Sequence, residues 1–127
     1  MNILIINSGS SSIKYQLLEM PSAQVICTGM IERIGSTKSI STFKSKDYRI
    51  ENISNITNHK EGIERITALL LDSEKGVLYS TEEVDAIGHR VVHGGSEFTE
   101  TTLIDNEVKN KIKLFSPLAP LHNPANL

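Results

Sequence analysis

The sequence predicts an α/β domain built on a mixed β-sheet, with an antiparallel meander at its start and helices flanking it. Three observations predict this. Short apolar or alternating runs at 3–7, 12–19 and 24–33 are joined by tight polar connections, as in adjacent antiparallel strands. A helical pattern follows at 58–75. A further strand-like run at 84–92 comes after that helix, and such a strand implies a parallel crossover in the same sheet.

The first strand carries Ile3-Leu4-Ile5-Ile6, four apolar residues of which three are β-branched, which suits burial on both faces. It breaks into Asn7, Ser8, Gly9, Ser10, Ser11 and Ser12, a cluster of small residues rich in hydroxyls and backbone N–H groups. Ile13, Tyr15 and Leu17 then alternate with Lys14, Gln16 and Leu18 as a second strand. A small polar turn with one lysine on the outgoing strand can cradle a phosphate, because amides and hydroxyls reach an anion unobstructed and Lys14 supplies charge. A P-loop is excluded: there is one glycine, Lys14 is followed by Tyr15, and a strand follows instead of a helix. The same residues also suit a plain tight hairpin, since Ser-Gly turns are common. Local pattern alone admits both.

Pro21 and Ser22 mark the next turn, and Val25 to Ile34 resumes a strand. The stretch 35–55 is rich in Ser, Thr and Lys. Weak alternation of Ile40 with Thr42 and of Tyr48 with Ile50 predicts an exposed two-stranded ribbon with a solvated basic face. For the helix at 58–75, Asn58 and Glu61 form a capping-box pattern, Ile63, Ile66 and Leu70 share a face, and Gly76 stands where a C′ glycine belongs. A Thr81-Glu82-Glu83 turn precedes the strand at 84–92. A second helix is predicted over 105–115, with Val108, Ile112 and Phe115 on one stripe, and Pro117, Pro120 and Pro124 then force an irregular segment.

A chain of 127 residues fits one domain with a real core. Its net charge of −2 gives no reason to expect a nucleic-acid partner. No apolar run approaches the roughly 20 residues that cross a bilayer, and there is no basic n-region, so neither a membrane span nor a signal peptide is expected. The lone Cys27 cannot form an internal disulfide, which favours the cytoplasm, and its apolar context reads as a buried strand thiol. Only 5% of residues are aromatic, too few for a base- or sugar-stacking platform.

A second cluster with chemistry in it spans Asp85 to Gly95. His89 and His93 have a tempting spacing, but on a strand they stand about 13 Å apart, too far to share one metal ion. They read as hydrogen-bonding or packing residues. Alternation puts Ala86, Gly88, Arg90 and Val92 on one face, leaving room beside the Arg90 fork for a small anionic group. A structural ion pair is the other reading of Arg90. His122, in the proline-braced segment, either faces a site or caps its own loop.

Ile5 to Lys14 (IINSGSSSIK) and Gly88 to Gly95 (GHRVVHGG) closely resemble the two signature motifs of the acetate kinases. Pro117 to Pro124 (PLAPLHNP) resembles the segment that follows them in that family. The motifs stand in family order and span nearly the whole chain. The resemblance implies a ribonuclease-H-like domain of the sugar kinase, Hsp70 and actin superfamily. It implies Mg²⁺- or Mn²⁺-dependent transfer of the γ-phosphoryl group of ATP to acetate, giving acetyl phosphate and ADP. Carried over by position, Asn7 would help place the metal and phosphate. Ser10, Ser12 and Lys14 would lie along the nucleotide phosphates, and Arg90 would bind the acetate carboxylate and the transferring group. Val92 and Leu121 would wall the methyl pocket, with His122 beside the phosphoryl group as a catalytic support. Butyrate and propionate kinases share much of the pattern. Family members are much longer, so residues 1–127 are expected to be the N-terminal domain, inactive alone, of a cytoplasmic homodimer. The alternative from another class is a stand-alone ligand-binding or assembly module that keeps the fold without the chemistry.

Overall fold

The computed structural model describes residues 1–91, 94–96, 98–118 and 123–127, without the side chains of 124 and 125. Five strands come first: β1 (Asn2–Ser8), β2 (Ile13–Glu19), β3 (Gln24–Glu32), β4 (Ser39–Ser45) and β5 (Arg49–Ser54). Helix α1 (His59–Leu70), strand β6 (Ala86–His89) and helices α2 (Asn106–Leu114) and α3 (Asn123–Asn126) follow. The six strands form one sheet in the order β5-β4-β3-β2-β1-β6. β1 to β5 pair antiparallel in sequence, and β6 lies parallel to β1. The meander, the crossover through a helix and the mixed sheet are therefore as the sequence predicts.

Strand alternation sends Leu4, Ile6, Ile13, Tyr15, Leu17, Cys27, Ile31 and Phe43 to one face, where Ile66, Leu69 and Leu70 of α1 close the core. Tyr15 crosses over Gly29 on β3, where no side chain would fit, and its hydroxyl donates to the Thr42 carbonyl at 3.2 Å. Burial raises the Tyr15 pKa well above the usual range and the Cys27 thiol to about 11. Cys27 is the inert strand thiol the sequence predicts.

The ribbon at 35–55 is not an exposed appendage. β4 joins the sheet through β3 and sends Ser39, Ser41 and Phe43 inward, each fully buried. The inward set is opposite in phase to Ile40 and Thr42. Ser39 can be buried because its hydroxyl donates to the Arg33 carbonyl at 2.8 Å and accepts from the Ile56 N–H at 3.3 Å.

Helix α1 is also shorter than its pattern. The Asn58 side chain accepts from the Glu61 N–H at 2.9 Å, as a cap should, but the Glu61 carboxylate reaches one residue further back, to the Thr57 N–H at 2.6 Å. The helix stops at Leu70 because the Asp72 carboxylate captures the Glu74 and Lys75 amides at 3.0 and 2.9 Å. Those two amides also lower the Asp72 pKa. Gly76 is therefore no C′ cap; its N–H donates to the Asp72 carbonyl at 2.9 Å. The buried stripe is Gly62, Ile66, Leu69 and Leu70, and Ile63 lies at its edge, 38% exposed. Replacing Asn58 with Ala should cost about 1 kcal/mol, seen as a lower thermal midpoint with unchanged far-UV signal. A midpoint equal to that of the parent would leave the cap without energetic weight.

Candidate functional site

Strands β1 and β2 carry Asn7 and Lys14, the turn between them carries Ser10 and Ser12, and Arg90 follows the end of β6. Asn7 and Lys14 are cross-strand partners on the outer face, opposite the core. Their row continues through Met30 and Thr42, and a second row runs Ile5, Gln16, Thr28, Lys44, Arg49. Together these residues line a cavity of about 640 Å³. Lys14, Lys44 and Arg49 give it a positive lining, suited to an anion.

The Ser8–Ser12 turn closes the end of that cavity's first row. Every φ in it is negative, so it is neither of the primed turns that close ordinary two-residue hairpins. Gly9 N–H donates to the Ser12 carbonyl at 2.8 Å. Among the described residues the return bond from Ser12 N–H to the Gly9 carbonyl is absent, and that carbonyl instead accepts from His59 Nε2 at 2.7 Å. Asn126 Nδ2 donates to the Ser8 carbonyl at 2.6 Å, and the Ile34 N–H to the Ser11 carbonyl at 2.9 Å. Four of the turn's five carbonyls are thus held by fixed donors. Their negative ends face protein, and the amides and hydroxyls of Ser10–Ser12 lie outside these contacts.

Arg90 lies on the other side of β1. β6 is shorter than the predicted 84–92, but the ladder continues by one bond, from Arg90 N–H to the Ile6 carbonyl at 3.1 Å. Parallel register sets Gly88 against Ile5 and His89 against Ile6, so His89 takes the core face and Gly88 the outer face, as alternation predicts. Arg90 is exposed and lines a second cavity of about 710 Å³ with His89, Ile112 and Leu127. Asn7 and Lys14 therefore share one cavity, and Arg90 borders the neighbouring one. Among the described residues neither Lys14 nor Arg90 has an ion-pair partner, which leaves the structural-pair reading of Arg90 unsupported. Val92, Leu121 and His122 lie outside the described residues, as does His93.

His59 and Asn126 are the residues that sequence reasoning missed. Each contacts the turn from a distant part of the chain (50 and 118 residues away), and no local spacing encodes that.

His89 Nδ1 is buried without a hydrogen-bond partner among the described residues. Burial lowers its pKa, partly offset by the Arg90 backbone. The unfolded chain then binds the extra proton, so the contribution to stability is full above the ordinary value of about 6.5 and is lost as pH falls below it. Thermal midpoints measured from pH 8 down to pH 5 should fall less steeply in His89→Gln. An identical slope would remove His89 as a source of the acid sensitivity.

The family model described as the acetokinase family matches residues 2–127. The chain belongs to the acetokinase family. This acetokinase chain is 58% identical over all 127 residues to an acetate kinase of Flavobacterium johnsoniae, of which it covers 32%. Its fold superposes on the crystal structure of Porphyromonas gingivalis acetate kinase with a TM-score of 0.94 at 40% identity, covering 98% of this chain and 32% of that one. A propionate kinase from Francisella tularensis matches with a TM-score of 0.86 at 36% identity, covering 98% of this chain and 31% of that one. The acetokinase chain spans about a third of the length of the relatives it matches. Its sheet is the ribonuclease-H-like domain of the sugar kinase, Hsp70 and actin superfamily. Among the described residues no helix is long and apolar enough to cross a membrane.

Proposed function

We propose that residues 1–127 form the N-terminal domain of an acetate kinase, which transfers the γ-phosphoryl group of ATP to a carboxylate oxygen of acetate. In that step the bond from the γ-phosphorus to the β–γ bridging oxygen breaks, a bond to the acetate oxygen forms, and ADP departs. The observation that carries the reading is the Ser8–Ser12 turn, four of its five carbonyls held back, with Asn7 and Lys14 beside it and Arg90 across β1. Phosphoryl transfer asks a protein chiefly for positioning and charge neutralisation, and this arrangement is suited to both.

Ser10 and Ser12 hydroxyls and the turn amides hold phosphate oxygens, and Lys14 neutralises them. Arg90 presents two parallel donors to the acetate carboxylate and keeps its charge beside the moving phosphoryl group. Val92 and Leu121 limit the acyl chain, and His122 supports the charge of the transferring group. A divalent ion such as Mg²⁺ would be carried mainly by ATP. No group of three or more His, Cys, Asp or Glu that could hold a metal occurs among the described residues, and Asn7 offers one carbonyl oxygen, which fits an ion keeping phosphate and water ligands. When bound, that ion neutralises phosphate charge. The similarity to a propionate kinase favours a second reading in acyl length alone. The cytoplasm and a homodimer complete the proposal.

The test is acyl phosphate formation by the native gene product that contains this chain, with ATP, Mg²⁺ and acetate, propionate or butyrate. Product with acetate in preference to the longer acids, and negligible product from the 127 residues alone, are expected. No acyl phosphate from the native product with any of the three acids overturns the kinase reading. Near-native rates from the short chain would overturn the need for a second domain.

A further inference from the structure

We propose that His59, at the first turn of α1, is the positioning residue that opens the Ser8–Ser12 turn for phosphate. The inference rests on the kinase reading above and adds to it a residue outside all three sequence motifs.

The turn has two competing arrangements. In a closed turn of this length Ser12 N–H bonds back to the Gly9 carbonyl, and that amide is spent inside the turn. Here Gly9 N–H donates to the Ser12 carbonyl, but the Gly9 carbonyl is drawn away to His59 Nε2 at 2.7 Å. A carbonyl only accepts, so His59 carries a proton on Nε2, and both the neutral Nε2–H tautomer and the imidazolium satisfy the contact. Among the described residues the Ser12 amide has no partner in the turn, and His59 holds the Gly9 carbonyl that a closed turn would offer it. Gly9 fits the arrangement for a steric reason: a Cβ there would stand 2.9 Å from Ser12 Oγ.

His59 can hold this position because its helix is anchored at both ends of the first turn. Asn58 and Glu61 cap the N-terminus, and Gly62 packs the helix close over Ile13, the first residue of β2. The imidazole is therefore placed by the same packing that fixes β2. Its donor reaches Gly9 from the core side of the sheet, whereas Asn7 and Lys14 face outward. His59 thus orients the Gly9 carbonyl toward the core side, which favours the open form of the turn over the closed one.

The experiment compares His59→Ala, His59→Phe and His59→Gln with the parent in the native gene product. kcat and the KM values for ATP and acetate are measured together with the thermal midpoint. Gln retains an N–H donor at similar reach, and Phe keeps the ring shape without the donor. Ala and Phe are expected to lose about tenfold or more in kcat/KM for ATP, with the acetate KM within about twofold of the parent. Gln is expected to recover to within about threefold. Kinetics for Ala and Phe within about threefold of an active parent overturn the inference and leave the kinase reading standing. So does a loss shared equally between ATP and acetate that tracks a lowered midpoint, with no recovery in Gln. A parent without phosphoryl transfer overturns the kinase reading and this inference with it.

Discussion

Replacing Arg90 with alanine in the native gene product is expected to lower kcat/KM for acetate by about three orders of magnitude, roughly 4 kcal/mol of transition-state stabilisation. Arg90 is exposed and has no ion-pair partner among the described residues, so the fold does not need its charge. Its backbone N–H remains bonded to the Ile6 carbonyl whatever the side chain, so the substitution should leave the end of β6 in place. Stability should accordingly change by less than about 0.5 kcal/mol, which separates a catalytic loss from an unfolded protein. Arg90→Lys should recover only part of the rate, since an ammonium restores charge but not the planar fork that grips a carboxylate. Activity of Arg90→Ala within about tenfold of the parent, equivalent to roughly 1.4 kcal/mol, would remove Arg90 as the substrate anchor.

The parts of the fold that were legible in the sequence are those where one residue pattern has one physical outcome. Ile3 to Ile6 followed by small polar residues reads as a strand and a turn, and β1 and β2 bear this out, but only Leu4 and Ile6 are buried: Ile3 and Ile5, on the face without a covering layer, are half-buried. Gly88 and His89 keep the predicted alternation against β1. The misreadings come from competitions decided elsewhere in the chain. Periodicity continued to Lys75, yet Asp72 withdrew two amides from the helix and ended it at Leu70. Ile40 looked more buriable than Ser39, yet the Ser39 hydroxyl finds partners in Arg33 and Ile56. The site divides in the same way. Asn7, Lys14 and Arg90 stand in contiguous motifs, and a sequence displays those. His59 acts on Gly9 across 50 residues, and only the packing of α1 on the sheet brings the two together.

Phe43→Ala should be the most damaging single truncation for stability, costing about 3–5 kcal/mol of the roughly 5–15 kcal/mol that holds a domain folded. Phe43 is fully buried on β4, and its register partner on β3 is Gly29, across which Tyr15 lies. Removing the ring opens a cavity between Tyr15 and the helix side of the sheet that a sheet paired on both sides cannot close by a small shift. The damage should also reach the site, because β4 carries Thr42 and Lys44 on the outer face of the same residues' strand, within the cavity that holds Asn7 and Lys14. Ile53→Ala on the neighbouring β5, where the side chain is 66% exposed, should cost less than about 1 kcal/mol. Chemical denaturation of both variants of the chain decides the matter. If the stretch 35–55 were a solvated ribbon, the two truncations would be equally mild. A large loss at Phe43 alone places β4 inside the cooperative core that carries the phosphate turn.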